Sequence, residues 1–269
     1  MSIRTLLALA VITVAPLPAQ LASPNSTGAA IGHVHLNVTD IAAHQRFWTQ
    51  LGGVSVTNDK LVMMQFPGIY VILRKQDSTG GTVGSNINHF GFHVKNIDDW
   101  VPKWKAAGIA IEAGNNPKQM FLTAPDNVRV EIIEDASIST PIAMHHIHMF
   151  VTDPKEVQAW YVKHFGAIAG KRNAFDTANV PGAELTLGKQ DAAQAPTKGR
   201  SLDHMGFEVK NLDQFTKTLQ ADGIQLEAPG IRASANAPGL RIAYIFDPWG
   251  TYIELTEGLT PKGAQRASR

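Results

Sequence analysis

Cysteine is absent from the 269 residues. Disulfides, thiolate metal sites and thiol nucleophiles are therefore excluded, and any metal must be held by His, Asp or Glu. Neither sign of charge is in excess, with 24 Lys and Arg against 23 Asp and Glu. A strongly basic face is not expected, and nucleic acid is not an expected partner. Charged residues make up only 17% and hydrophobic ones 44%, which fits a globular protein and not a disordered tail or a coiled coil. Beyond the first segment no apolar run is long enough to span a bilayer. That segment has Arg4, an apolar run from Leu6 to Ala15 and a small-residue end at Ala19 to Ala22. It is read as a secretory signal over 1–22, followed by a flexible leader over 23–29. The expectation is a periplasmic or secreted protein with no membrane attachment once the signal is cleaved.

The remainder repeats itself. His33-Val-His-Leu-Asn-Val-Thr-Asp40 returns as His146-Ile-His-Met-Phe-Val-Thr-Asp153, and His89-Phe-Gly-Phe-His-Val-Lys-Asn96 returns as His204-Met-Gly-Phe-Glu-Val-Lys-Asn211. Such self-similarity predicts two copies of one domain, over 30–135 and 143–257, with a linker at 136–142 and a tail at 258–269. Within each copy, a strand opening on His leads to Asn or Asp, then to an amphipathic stretch such as Ile41 to Leu51 or Ile97 to Ala107, then to short alternating runs. The predicted unit is strand, helix and about three strands, four times over. The fold class is α+β, with paired βαβββ modules forming cupped mixed sheets and helices on the outer face.

Along the strands His33 and His35 alternate with Val34 and Leu36, and His146 and His148 with Ile147 and Met149. One sheet face is thus apolar and covered by helices, while the other carries imidazoles. A divalent ion such as Zn, Ni, Fe(II) or Mn needs three or four such ligands from different strands. In the second copy His146, Glu184, His204 and Glu254 hold comparable places on the polar face. In the first copy those places hold His33, Tyr70, His89 and Glu131, one carboxylate fewer. A lone strand histidine is more often a hydrogen-bonding partner than a ligand, and only the recurrence of the set raises the metal reading. His35, His148 and His145 are expected behind the ligands or lining a pocket, because a residue two along a strand stands about 6.5–7 Å away. Tyr244, Tyr252, Arg129 and His93 are further expected pocket residues.

These motifs, together with the closing Asp247-Pro-Trp-Gly-Thr-Tyr-Ile-Glu254, resemble the vicinal oxygen chelate superfamily, which includes glyoxalase I, the bleomycin and fosfomycin resistance proteins and the extradiol dioxygenases. The resemblance covers about 30–135 and 143–257. It implies a divalent metal and a small-molecule substrate, with His146 and Glu184 supplied by one module and His204 and Glu254 by the next. It further implies Glu184 or Glu254 as the base of a metal-dependent lyase or isomerase working through an enediolate. Tyr70 departs from the pattern. Two other readings are a non-catalytic binder of an antibiotic-like or aromatic molecule, and an iron(II) extradiol-type dioxygenase using His146, His204 and Glu254, with Tyr244 ten residues before the Glu. The histidine that branch needs near Glu184 is missing. A fused double domain implies a monomer or a homodimer.

Overall fold

The computed structural model describes residues 21–260. The expected signal over 1–22 lies almost wholly outside the described residues, as does the tail beyond 260. Four modules follow one another. The first is β1 (Ala29–Val38), α1 (Ile41–Gln50), β2 (Val54–Asn58), β3 (Leu61–Phe66) and β4 (Ile69–Lys75). The second is β5 (Ile87–Val94), α2 (Val101–Ala106), β6 (Ala110–Ala113), β7 (Gln119–Ala124) and β8 (Val128–Glu134). The third is β9 (Ile142–Val151), α3 (Pro154–Phe165), β10 (Ile168–Arg172), β11 (Phe175–Val180) and β12 (Ala183–Lys189). The fourth is β13 (Leu202–Val209), α4 (Leu212–Ala221), β14 (Arg232–Ala233), β15 (Arg241–Phe246) and β16 (Tyr252–Glu257).

The recurrent Asp or Asn after each opening strand is a helix cap. Asp40, Asp153 and Asn211 accept hydrogen bonds from first-turn amides of α1, α3 and α4, which otherwise have no partner in the helix. Asn96 caps only a 3-10 turn at Ile97–Asp99, and α2 begins afresh at Val101. The single helix expected over Ile97 to Ala107 is thus divided, because Pro102 fits only a first helical turn.

The two mixed sheets have the strand orders β14-β15-β16-β13-β1-β4-β3-β2 and β10-β11-β12-β9-β5-β8-β7-β6. The first module therefore pairs with the fourth, and the second with the third. Neither half of the chain completes a sheet alone, so the division into 30–135 and 143–257 describes the repeat while each sheet draws on both halves. The apolar faces and the helices share one core. Trp48 of α1 stacks on Phe90 of β5 with ring centres 5.6 Å apart, and Phe165 of α3 lies 4.2 Å from Phe207 of β13, each contact joining one sheet to the helix of the other. No helix among the described residues is long and apolar enough to cross a membrane.

A polar contact around Asp126 ties the first module to the second. Asp126 accepts from the Thr39 amide (2.9 Å) and hydroxyl (2.7 Å) and lies 3.0 Å from His44 Nε2. Burial pushes the Asp126 pKa up, yet Thr39 and His44 outweigh it and hold the carboxyl below its ordinary 3.8. Burial lowers His44 below its ordinary 6.5 against the pull of Asp126 and Asp40. Both groups bind fewer protons folded than unfolded, so their stabilisation is complete above about pH 6.5 and is lost as pH falls through the histidine and then the carboxylate range. Asp126→Asn is expected to cost about 1.5 kcal/mol at pH 7 in denaturant titrations. It should also flatten the loss of stability below roughly pH 4. A decline parallel to wild type would show that the contact carries no proton linkage.

Candidate functional site

The polar face of each sheet gathers a buried cluster, and the two are built alike. In the first sheet His33 pairs with Gly206, His35 with His204, and Gly206 with Glu254. In the second sheet His146 pairs with Gly91, His148 with His89, and Gly91 with Glu131. His33, His35, His204 and Glu254 form one group, and His89, Glu131, His146 and His148 the other, with one potential ligand atom from each residue lying within 4.8 Å of the rest.

In each group a single carboxylate oxygen faces two imidazoles. Glu254 Oε2 lies 2.8 Å from His33 Nε2 and 3.2 Å from His204 Nε2. Glu131 Oε2 lies 2.9 Å from both His89 Nε2 and His146 Nε2. Both nitrogens of His35 and of His148, and Nδ1 of His33, are buried without a hydrogen-bond partner, and Nε2 of His33 and of His146 meets only the carboxylate oxygen. Unpartnered buried polar atoms cost about 1–3 kcal/mol each. Atoms bound at about 2.1 Å to one ion stand about 3.0–3.4 Å apart. Close, buried, unpaired nitrogens beside one anion are a donor set that fits a divalent cation. The outer nitrogens are also held. His89 Nδ1 lies 2.9 Å from Asn88 Oδ1, and His204 Nδ1 lies 2.7 Å from Asp203 Oδ1, an arrangement that favours the tautomer with Nε2 free to bind.

Burial pushes both carboxylates up, but the imidazoles outweigh it and hold Glu131 and Glu254 far below the usual range. Burial takes His146 down to about 4 and His148 down to about 2, so the second cluster presents neutral nitrogens at pH 7. Burial also pulls on His204, but Asp203 and Glu254 raise it above its ordinary value.

The ligand grouping expected from sequence does not form. His146 and Glu184 lie in the second sheet, and His204 and Glu254 in the first, so the four cannot share an ion. The set His33, Tyr70, His89 and Glu131 is divided in the same way. The cause is the cross-pairing of modules, which brings together residues from opposite halves of the chain. Glu184 is the displaced member: it stands beside His146 in register, but its carboxylate accepts from Arg172 Nε (2.6 Å) and the Thr186 hydroxyl (2.7 Å). Tyr70 holds the same place beside His33.

His35 and His148, expected outside the ligands, are members of the clusters. Each faces its partner across the strand pair, and the ring centres lie only 4.5 Å and 4.7 Å apart. Of the expected pocket residues, His148 and Arg129 line the cavity over the second cluster. Tyr244 instead donates to Glu254 in the first cluster. His93 stacks at 3.8 Å on His145 and pairs with Asp135. Asn88, Gln119, which donates to Glu131, and Arg172 were not anticipated. Asn88 had a readable signal, because it precedes His89 as Asp203 precedes His204.

The two sets of histidines and carboxylates are equally buried, and they differ in what surrounds them. Tyr70, Tyr244 and Tyr252 around the first belong to a buried apolar group with Met63, Ile72 and Leu259. Over the second is a cavity of about 510 Å³, lined by His89, Glu131 and His148 together with asparagines, arginines and phenylalanines.

Residues 143–255 match the family model described as the Glyoxalase/Bleomycin resistance protein/Dioxygenase superfamily. No curated protein matches the chain. Similar solved structures include glyoxalase I from Zea mays, 16% identical with a TM-score of 0.66, the match covering 85% of this chain and 92% of that one. A putative dioxygenase from Bacillus subtilis subsp. subtilis str. 168 is 12% identical with a TM-score of 0.65, covering 90% of this chain and 87% of that one. At these identities the likeness is one of fold.

Proposed function

Since residues 143–255 belong to the Glyoxalase/Bleomycin resistance protein/Dioxygenase superfamily and the whole chain has the tandem form of its fold, we propose that the second cluster is the reactive centre of a metal-dependent, glyoxalase-like lyase or isomerase acting on a small oxygenated substrate. The observation that carries this reading is the placement of Glu131, His89 and His148 on the lining of the open cavity, with His146 beneath. The equivalent first cluster lies among buried tyrosines and aliphatic side chains, which suits a site that holds an ion without admitting substrate.

His89, His146 and Glu131 would hold the metal, with His148 beside them. A divalent ion there supplies a Lewis acid that polarises a substrate carbonyl. Asn88 fixes the ring of His89, and Gln119 holds the second oxygen of Glu131. Glu184, in register with His146 but behind the cavity lining, is held by Thr186 and by Arg172, which does line it, and we assign it to take the proton from the carbon next to that carbonyl once it leaves that pairing. Glu254 lies in the other cluster and has no part in this step. The dioxygenase alternative is less well supported, because Tyr244 stands opposite Glu254 in the covered cluster and Phe121 occupies the matching place opposite Glu131. Both clusters are completed within one chain, which favours a working monomer. We place the reaction outside the cytoplasm, following the signal read over 1–22, where glutathione is scarce as a co-substrate.

Elemental analysis after chelation and reloading tests the metal, and solvent deuterium exchange into hydroxyacetone tests the base. Glu184→Gln is expected to retain the metal and lose at least about 100-fold in exchange rate. No metal uptake, or unchanged exchange in this variant, would overturn the proposal.

A further inference from the structure

The cavity over the second cluster contains two cations that metal chemistry alone does not require. Arg129 comes from β8, two residues before Glu131 and hence on the same face. Its guanidinium carbon lies 3.9 Å from the centre of the Phe121 ring, and one terminal nitrogen reaches the exposed Glu112 at 3.2 Å. Its Nε is buried without a partner. Arg172 enters from the opposite module, held by Glu184 and by the Thr186 hydroxyl at 2.8 Å. The only carboxylate among the cavity-lining residues is Glu131, which faces the imidazoles. Guanidinium groups beside a site for a doubly charged cation oppose its binding unless an anion lies among them. Phe121, Phe150 and Phe175 supply flat apolar wall, and about 510 Å³ is within the range of small-molecule pockets.

We infer that this cavity takes an anionic substrate, in which the reacting carbonyl and its neighbouring C–H are attached to a flat unsaturated or aromatic body that also bears a carboxylate, with Arg129 holding the carboxylate and the phenylalanines enclosing the body. The inference rests on the second cluster being the reactive centre. Arg129 offers the fork geometry that suits a carboxylate, and its buried Nε–H is a donor awaiting an acceptor. Arg172, already bound on one edge by Glu184, contributes mainly field. Asn88 meets His89 through its carbonyl oxygen, Gln119 donates to Glu131, and the other asparagines are uncharged, which leaves the anion's charge to the arginine.

The test is calorimetric titration of salicylate and of its neutral amide, salicylamide, into the full chain, both chelator-treated and metal-reloaded. Without metal, wild type is expected to bind salicylate at least about tenfold more tightly than salicylamide, the size of one charge-assisted hydrogen bond. Arg129→Gln should bring the ratio close to one, and Arg129→Lys should keep part of it. If Arg129→Gln fails to fold, the wild-type ratio and the Arg129→Lys variant decide. Equal binding of the two probes, no binding of salicylate in either form, or an unchanged ratio in Arg129→Gln would overturn the inference. Metal uptake without carboxylate preference overturns this inference alone. Carboxylate preference without metal uptake overturns the reading of the cluster as a reactive centre and leaves a cavity that binds carboxylates.

Discussion

Gly91→Ala is expected to empty the second cluster of metal and reduce activity at least about 100-fold, while Gly206→Ala damages the first cluster and leaves activity near wild type. Both glycines lie in extended strand directly opposite a histidine. A methyl group at Gly91 would lie 2.3 Å from His146 Cε1 and 2.8 Å from its Nδ1, and one at Gly206 would lie 1.9 Å from His33 Cε1. No carbon tolerates such contacts, so the imidazole must leave its place. Forced repacking of this kind costs about 1–3 kcal/mol, which denaturant titration of the chelated proteins would register. A ring moved by an ångström no longer points its nitrogen at the shared oxygen. A Gly91→Ala protein with full metal content would show that His146 is not a ligand.

Glu131→Gln should produce the sharpest separation of metal binding from folding. The amide keeps the shape of the carboxylate but removes the one negative charge among the four potential ligand atoms. Loss of a group that merely supports a ligand costs about 10–100-fold in metal affinity, and loss of the charged ligand itself should cost more. In chelated protein the same change should be nearly neutral or slightly stabilising, because a buried charge has been removed. In wild type, metal at about 100 times its dissociation constant adds about 2.7 kcal/mol of stability, and Glu131→Gln should lose the share due to the second cluster. Glu254→Gln should preserve activity. Activity that follows Glu254 instead of Glu131 would transfer the chemistry to the covered site.

Much of this was legible in the sequence. Alternation on the opening strands separated the apolar from the histidine-bearing face, and the recurrent Asp and Asn marked the starts of three helices. His33, His89, Glu131, His146, His204 and Glu254 were all identifiable as members of metal-capable clusters. Their grouping was not, because strand pairing is a long-range choice. β1 has an equally good local pattern for any antiparallel partner, and only the packing of both sheets onto one core selects β13. His35 and His148 were undervalued because spacing along one strand says nothing about distance across the pair. Arg172 lies at the end of β10, in a run without marked periodicity, and only the folded register brings it to Glu184.

The strand orders also set the sequence in which the molecule can close. The middle modules, joined by a short turn, are able to meet as soon as both have been made, whereas the opening module must wait for the last. A nascent chain can thus assemble the open cavity while β1 still presents a bare backbone edge, and strands in that condition recruit strangers. The final module then serves as a guard as well as half of a sheet. Stopping the chain before residue 202 would spare every histidine of the cavity and still yield a protein prone to clump.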